Sequence, residues 1–398
     1  MTAPLQSLRI LDLTAGLAGP WCTKLLADYG ADVIKVERPR IGDETRGHGR
    51  FPGGVPDREA SALFLWLNTS KRSITLDIGT PTGRALTLRL AAACDAVVLD
   101  QRPAELARLR LTHDDFAAVN PRIVTTSVTA FGQSGPHADW RATNLTSYAS
   151  GGQHYLTGDA DREPLQNGGY QALYQAGTWA FGATLAAIWN AHACGIGQQA
   201  EVSGQEVMAA ILEIYLPDYA YRKSEALTTR RGNMSSAVVG IYPAVDGHIG
   251  IHAMPKNWPQ LMDALDARWM ADDERFVDNR ARLRNDDDLS AQMFIWSSSV
   301  TKTEAYERAG QFRAPISPVN TIADLLASEH LHEREFFRAV EHPVAGTLRY
   351  PSPGARMPST PPDLQPAPLL GQHNAAVYGA LLGLAPRDLT RLSAAGAI

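Results

Sequence analysis

A chain of 398 residues exceeds the roughly 250–300 at which a single hydrophobic core stops growing, so it has room for two domains. A net charge of -5 with mixed signs excludes a general basic face for nucleic acid and confines any anion site to a local patch. No run approaches the roughly 18–20 apolar residues of a membrane span, and no charged segment followed by an apolar one opens the chain, so a cytoplasmic protein is expected.

Three cysteines, Cys22, Cys94 and Cys194, are too few and scattered for a disulfide framework. Each lies in an apolar helical pattern, which points to buried structural thiols.

Leu8–Thr14 reads as a strand, Pro20–Tyr29 as a helix and Ala31–Glu37 as a second strand, a βαβ unit. Pro20 suits a first helical turn, whose free N–H groups can face an anion; Gly19-Pro20 can equally serve only to turn the chain. From Gly42 to Ala62 the chain is rich in Gly, Pro and charge and reads as a long loop over the surface or over a site. Strands at Ser73–Ile78, Ala96–Leu99 and Arg122–Thr129 alternate with helices at Pro81–Cys94 and Pro103–Leu109, the pattern of a mostly parallel sheet covered on both faces.

Tyr170–Cys194 is apolar or small around most of its circumference, as in a helix buried between layers or at a subunit contact. Gly195–Ala200 mimics a dinucleotide fingerprint, but a helix precedes it and the strand Ala200–Ser203 follows, the reverse of that motif's needs. Gly204–Tyr219 reads as a helix, and the polar, basic run Arg222–Asn233 as a crossing between domains. Asp246-Gly247 makes a hairpin of Val238–Met254, and helical patterns at Trp258–Leu265, Leu289–Trp296 and Lys302–Ala309 complete a small α+β domain. Arg313–Val319, a helix near Leu325, the Pro-rich stretch Pro351–Leu370 and a helix at Asn374–Leu382 return to the first domain.

Eight segments, in order, resemble the class III CoA-transferase family (CaiB/BaiF), whose types include formyl-CoA transferase, carnitine CoA-transferase and α-methylacyl-CoA racemase. They are LRILDLTAGLAGPWCTKLLADYGADVIKVERPRIGDETR, LNTSKRSITLDIGTPTGRALTLRLAAACDAVVLDQRP, FGQSGP, CGIGQQAEVSGQEV, RRGNMSSAVVGIYPAVDGHIGI, FRAPISPVNTIADLL, HPVAGTLRYPSPGARM and LGQHN. The resemblance covers essentially the whole chain. It implies an α/β fold with a Rossmann-like large domain from both chain ends (1–222 and 328–398) and a smaller α+β middle domain (223–327). It also implies an interlocked, ring-like dimer, and acyl-CoA as substrate with no permanently bound cofactor. Most members move CoA from an acyl-CoA to a free carboxylic acid; some racemise α-methylacyl-CoA.

The coenzyme calls for guanidinium stacking on adenine and cationic pairing with phosphates. The resemblance assigns Arg38 to the adenine side, Asn68, Lys71 and Arg72 to the basic step before the third strand, and Arg102 and Arg108 to the end of the VVLD strand. Arg141 falls where relatives carry a lysine near the ligand, and the backbone at Gly16 and Leu17 lines the pantetheine. Asp100 departs from the family's Asn at that point; an acid there repels phosphate unless it meets a ribose hydroxyl or an arginine. Any one of these cations, read alone, is also an ordinary solvated surface charge.

The family's transferases attack the thioester with an Asp four residues before a Gly of the long helix. Counting back from Gly177 puts Leu173 there, within a run, Pro164–Gly177, that contains no Asp, Glu, Lys, Arg, His or Cys. The second active-site acid of many members falls at Asn144 and the racemase His at Thr143. The weak substitutes are Tyr170 and Tyr174, suited to orienting or stabilising an enolate, and His154, which competes with a structural histidine. Asp159, Asp161 and Glu163 suit a solvated turn. No GxSxG or HExxH occurs, and the HxxxH of His248 and His252 falls in the hairpin run Val238–Met254 rather than on a helix, so neither a serine hydrolase nor a metal site is expected.

Four readings follow. The chain is a CoA-transferase with an unrecognised nucleophile, a silent subunit paired with a relative that supplies the Asp, an acyl-CoA enzyme of another type (lyase, isomerase, hydrolase or acyl transfer), or an acyl-CoA binding protein. Homodimer and heterodimer both fit.

Overall fold

The computed structural model describes residues 3–158, 162–222 and 237–398. The chain packs as two compact units, Met1–Lys223 with Glu335–Ile398, and Ser224–Arg334.

The larger unit is built on six parallel strands: β1 (Arg9–Asp12), β2 (Asp32–Glu37), β3 (Arg72–Thr75), β4 (Ala96–Leu99), β5 (Val124–Thr129) and β6 (Gln199–Ser203). Their spatial order is β3-β2-β1-β4-β5-β6. Because both faces are covered, buried positions run consecutively along β1 to β5 rather than alternating, although β3 (RSIT) and β5 (VTTSVT) are largely polar. Neighbours on one strand therefore serve different cores: Ile10 packs with Leu26, Ala180 and Ile188 on one face, Leu11 with Leu86, Leu90 and Val377 on the other. Each such buried aliphatic side chain contributes roughly 1.5–3 kcal/mol.

The helices of the first half are α1 (Ala18–Asp28), α2 (Ala62–Leu67), α3 (Pro81–Ala91), α4 (Pro103–Leu109), α5 (His113–Ala117), α6 (Asn144–Ser150) and α7 (Gln171–Cys194). Pro81 opens α3, where its missing N–H leaves nothing unpaired, and the Thr80 hydroxyl accepts the Gly83 N–H at 3.0 Å. The 24-residue α7 lies against α1 at Gly177, where an added Cβ would fall 2.3 Å from the Ala18 carbonyl oxygen. That close approach fixes the first turn of α7 beside the start of α1. Gly195 ends α7 in a left-handed conformation, φ +77°, and β6 follows, so GIGQQA lies between helix and strand.

The single helix expected over Gly204–Tyr219 is instead two, α8 (Gly204–Ala210) and α9 (Tyr215–Arg222). Pro217 cannot donate to the preceding turn, so it sits in the first turn of a new helix, and Glu213 between the two has φ +54°. Cys22 and Cys94 are buried and burial pushes both thiols up to about 12. Cys194 corrects the expectation of a third buried thiol: it lies exposed at the end of α7.

The smaller unit holds a three-stranded antiparallel sheet of β7 (Val238–Ala244), β8 (Gly247–Ala253) and β9 (Ile316–Pro318); the expected hairpin forms, with Val245-Asp246 as its loop, one residue before the expected Asp246-Gly247, because Gly247 pairs with Ala244. Its core gathers Ile249, Ile251, Leu261, Phe276, Leu289 and Met293. Beyond Arg222, the basic run to Asn233 lies outside the described residues. In the larger unit, the hairpin of β10 (Phe337–His342) and β11 (Gly346–Pro351) packs Val340 and Tyr350 on Phe64 and Leu65 of α2. Among the described residues no helix is long and apolar enough to cross a membrane.

Candidate active site

The strand order reverses between β1 and β4, and a parallel sheet opens a crevice outside the carboxyl ends of its strands at such a point. Two adjoining cavities lie there. One, about 320 Å³, is lined by Thr14, Arg38, Asp43, the segment Leu76–Gly79, Gln101 and Arg108. The other, about 500 Å³, is lined by Gly16, Leu17, Asp100, Arg102, Trp140, Arg141 and Leu173. They share Ala15, Arg38, Glu44, Gln101 and Glu105.

The loop after β1 divides them. Gly16 has φ +72°, a left-handed conformation that favours glycine, and it brings the loop against the side chain of Glu44 in the 3₁₀ turn Glu44–Gly47. Beneath the loop lies a network of buried charge. Lys35 Nζ pairs with Asp43 at 2.7 Å and donates to the Thr14 carbonyl at 3.1 Å. Asp12 accepts from Lys71 at 3.1 Å and from the hydroxyls of Thr14 and Thr23. Burial alone would raise Asp12, but Lys35, Lys71 and the hydroxyls overcome it and hold its carboxyl below the usual range. Arg46 binds both oxygens of Glu37, at 2.7 and 2.8 Å, reaches Glu59 at 2.7 Å and lies 3.6 Å from the Phe64 ring centre.

Of the residues expected to hold coenzyme, Gly16, Leu17, Arg38, Asp100, Arg102, Arg108 and Arg141 line these cavities. Arg38, Arg108 and Arg141 are exposed at the rim, whereas Arg102 is tethered to the Asp139 carbonyl at 2.8 Å. Asn68, Lys71 and Arg72 line neither cavity. Asn68 and Lys71 precede β3 and Arg72 opens it, and their side chains are engaged within the protein. Lys71 is buried and bonded to Asp12, the Pro20 carbonyl, Thr23 and Asn68; burial lowers its ammonium to about 8. Asn68 also donates to the Phe64 carbonyl, and Arg72 pairs with Asp32 at 2.6 Å. The residues that sequence reasoning missed are those after β3, Leu76–Gly79, which offer mainly backbone; the carboxyl-edge rule for parallel strands was the available signal.

Leu173 lies on the wall of the larger cavity, in the first turn of α7. Its neighbours do not replace it. Tyr174 turns its hydroxyl to Trp66 Nε1 at 3.1 Å and packs edge-on to Trp21, and Tyr170 is exposed. Asn144 is occupied at both ends of its amide: Oδ1 accepts the Ala172 N–H at 3.0 Å and Nδ2 donates to the Gly169 carbonyl at 3.2 Å, so it caps α7. His154 stacks on Tyr148, with ring centres 5.3 Å apart, outside both cavities. Glu163 is exposed, and Asp159 and Asp161 lie outside the described residues. The carboxylates on the larger cavity are Glu44, Asp100 and Glu105.

The model of CoA-transferase family III matches residues 5–374. The chain belongs to that family. It is 32% identical over 399 residues to the succinyl-CoA–D-citramalate CoA-transferase of Chloroflexus aurantiacus, covering 98% of this chain and 97% of the relative. It is 30% identical to the succinyl-CoA–L-malate CoA-transferase beta subunit of the same organism, covering 98% and 97%. A CaiB/BaiF family protein from Brucella suis superposes with a TM-score of 0.84 at 29% identity, over 96% of this chain and all of that one. The family's substrates are CoA thioesters, and its α/β architecture with a six-stranded parallel sheet is the one described above.

Proposed function

We propose that this CoA-transferase family member holds an acyl-CoA along the two cavities and needs a carboxylate from outside its own α7 to transfer the coenzyme. The adenine and phosphates lie over Arg38 and Arg108 in the smaller cavity, where guanidinium groups can stack and pair. The pantetheine passes Gly16 and Leu17, flanked by Arg102 and Arg141, and brings the thioester toward Leu173.

The observation that carries this reading is Leu173 itself: an aliphatic side chain cannot attack a thioester carbonyl or carry CoA as an enzyme thioester. A second chain of the family that carries the Asp supplies it, and the acceptor is a free carboxylic acid. The relative named as a beta subunit supports an assembly of unlike chains. The cytoplasm is the compartment this reading requires, because a phosphate-bearing thioester does not cross membranes unaided.

The experiment is a mass-spectrometric screen of the purified chain, alone and mixed with an Asp-bearing family relative, against CoA thioesters and carboxylic acids. Coenzyme binding by the isolated chain and transfer only in the mixture are expected. Hydroxylamine trapping after incubation with acyl-CoA should leave the isolated chain unlabelled and should label Leu173→Asp. A labelled Asp or Glu in the wild-type chain alone overturns the reading.

A further inference from the structure

Asp100 stands directly after β4, at the switch point, on the wall of the larger cavity. Its Oδ2 accepts the Ala15 N–H at 2.6 Å and its Oδ1 the Gln101 side-chain amide at 2.9 Å. A carboxyl oxygen has two lone pairs, so each keeps one position free for a proton or a ligand atom.

The charged groups around it leave it without a cation of its own. Lys71 engages Asp12 of β1 at 3.1 Å, and Lys35 of β2 engages Asp43 in the following loop at 2.7 Å. In the shared cavity wall, Arg102 turns to the Asp139 carbonyl and lies 4.0 Å from Glu105; Arg38, Arg141 and Glu44 form no ion pair among the described residues. Asp12 and Asp43 thus each have an ammonium partner and stay ionised, whereas Asp100 has none among the described residues. Burial pushes Asp100 up to about 7, reinforced by the charges of Asp12 and Asp43 and opposed by the Ala15 N–H and Lys35.

In the binding mode above, a CoA thioester lays its pantetheine and thioester along this wall, and their carbonyl oxygens are acceptors. A carboxylate beside them repels; a carboxylic acid donates. We propose that Asp100 takes up a proton as the acyl-CoA enters and donates it in a hydrogen bond to a ligand oxygen, which makes it a residue that selects for acceptor atoms and couples coenzyme binding to pH. The inference rests on the acyl-CoA reading above.

Calorimetry of free CoA binding at pH 8, in two buffers of different ionisation enthalpy, tests it on the full chain and on Asp100→Asn, which keeps a donor but cannot ionise. Comparing the two proteins cancels the ligand's own ionisations. The wild type should take up close to one more proton per site than the variant, and its affinity should fall relative to the variant by up to about tenfold per pH unit above 7. An infrared difference spectrum of the wild type on adding CoA at pH 8 gives a reading that needs no variant: a protonated carboxyl band should grow in. Binding by both proteins with equal proton uptake, or no such band, overturns the proposal. Absence of binding by the wild type at every pH overturns the acyl-CoA reading itself.

Discussion

Lys35, Arg46 and Lys71 lie beneath the cavity floor, sealed from water and bonded to Asp43, Glu37 and Asp12, while Arg38, Arg108 and Arg141 stand at the cavity rim in contact with solvent. The same residue types thus divide by environment. A cation sealed among carboxylates is committed to holding loops together, because desolvation makes any broken pair costly. At the rim, Arg38 and Arg141 form no ion pair among the described residues and Arg108 lies 4.0 Å from Glu105 in an exposed pair, so each can meet an anion that arrives later. In the proposed binding mode, electrostatic complementarity to coenzyme therefore belongs to the rim, and rigidity of the loop that shapes it belongs to the buried set.

The largest effect that can break this division is in the buried set. Arg46→Met leaves Glu37 buried without its cation and frees the chain near Pro368, which Arg46 also binds at 3.0 Å; a loss of roughly 3–5 kcal/mol in denaturant unfolding is expected. A loss under about 1 kcal/mol would mean that the pair is replaced by water. Arg38→Ala should leave unfolding unchanged and weaken CoA binding by roughly 1–3 kcal/mol in calorimetry. Unchanged affinity would remove Arg38 from the ligand site.

Asp100 adds a prediction on the unliganded protein. Its folded pKa is raised, so the folded state binds the extra proton, and the associated stability is present below the unfolded value near 4 and lost as pH rises through about 7. Asp100→Asn should therefore raise Tm at pH 8 relative to the wild type and give little gain at pH 4. The smallest effect is expected at Arg72→Ala. It removes a partly exposed ion pair with Asp32, should cost less than about 1 kcal/mol, and should leave CoA affinity unaltered.

Much of the larger unit was legible because a covered parallel sheet writes itself as short apolar strands alternating with helices, and β1, β2 and β4 fall within a residue or two of the apolar runs that mark them. The rim arginines were legible through the family resemblance; only Arg38 directly follows a strand, β2, whereas Arg108 lies in α4 and Arg141 well beyond β5. Lys71 was not, since its burial is decided by Asp12, Thr23 and Asn68, which come from three separate segments. Leu76–Gly79 was missed because a wall made of backbone has no characteristic side chain. Pro217 did carry the break between α8 and α9, but the apolar pattern ran through it.

The wall at Thr75–Asp77 has one further dependence. Thr75 is held by Asn374 and by the Tyr378 hydroxyl, and Asp77 N–H by the Ala397 carbonyl, partners about 300 residues later in the chain. At roughly 5–20 residues per second, a ribosome needs about 15–60 s to make that intervening stretch. The nascent chain can pair its early strands long before then, but one side of the smaller cavity stays unsupported until the late helix arrives, so during synthesis the fold precedes the cavity.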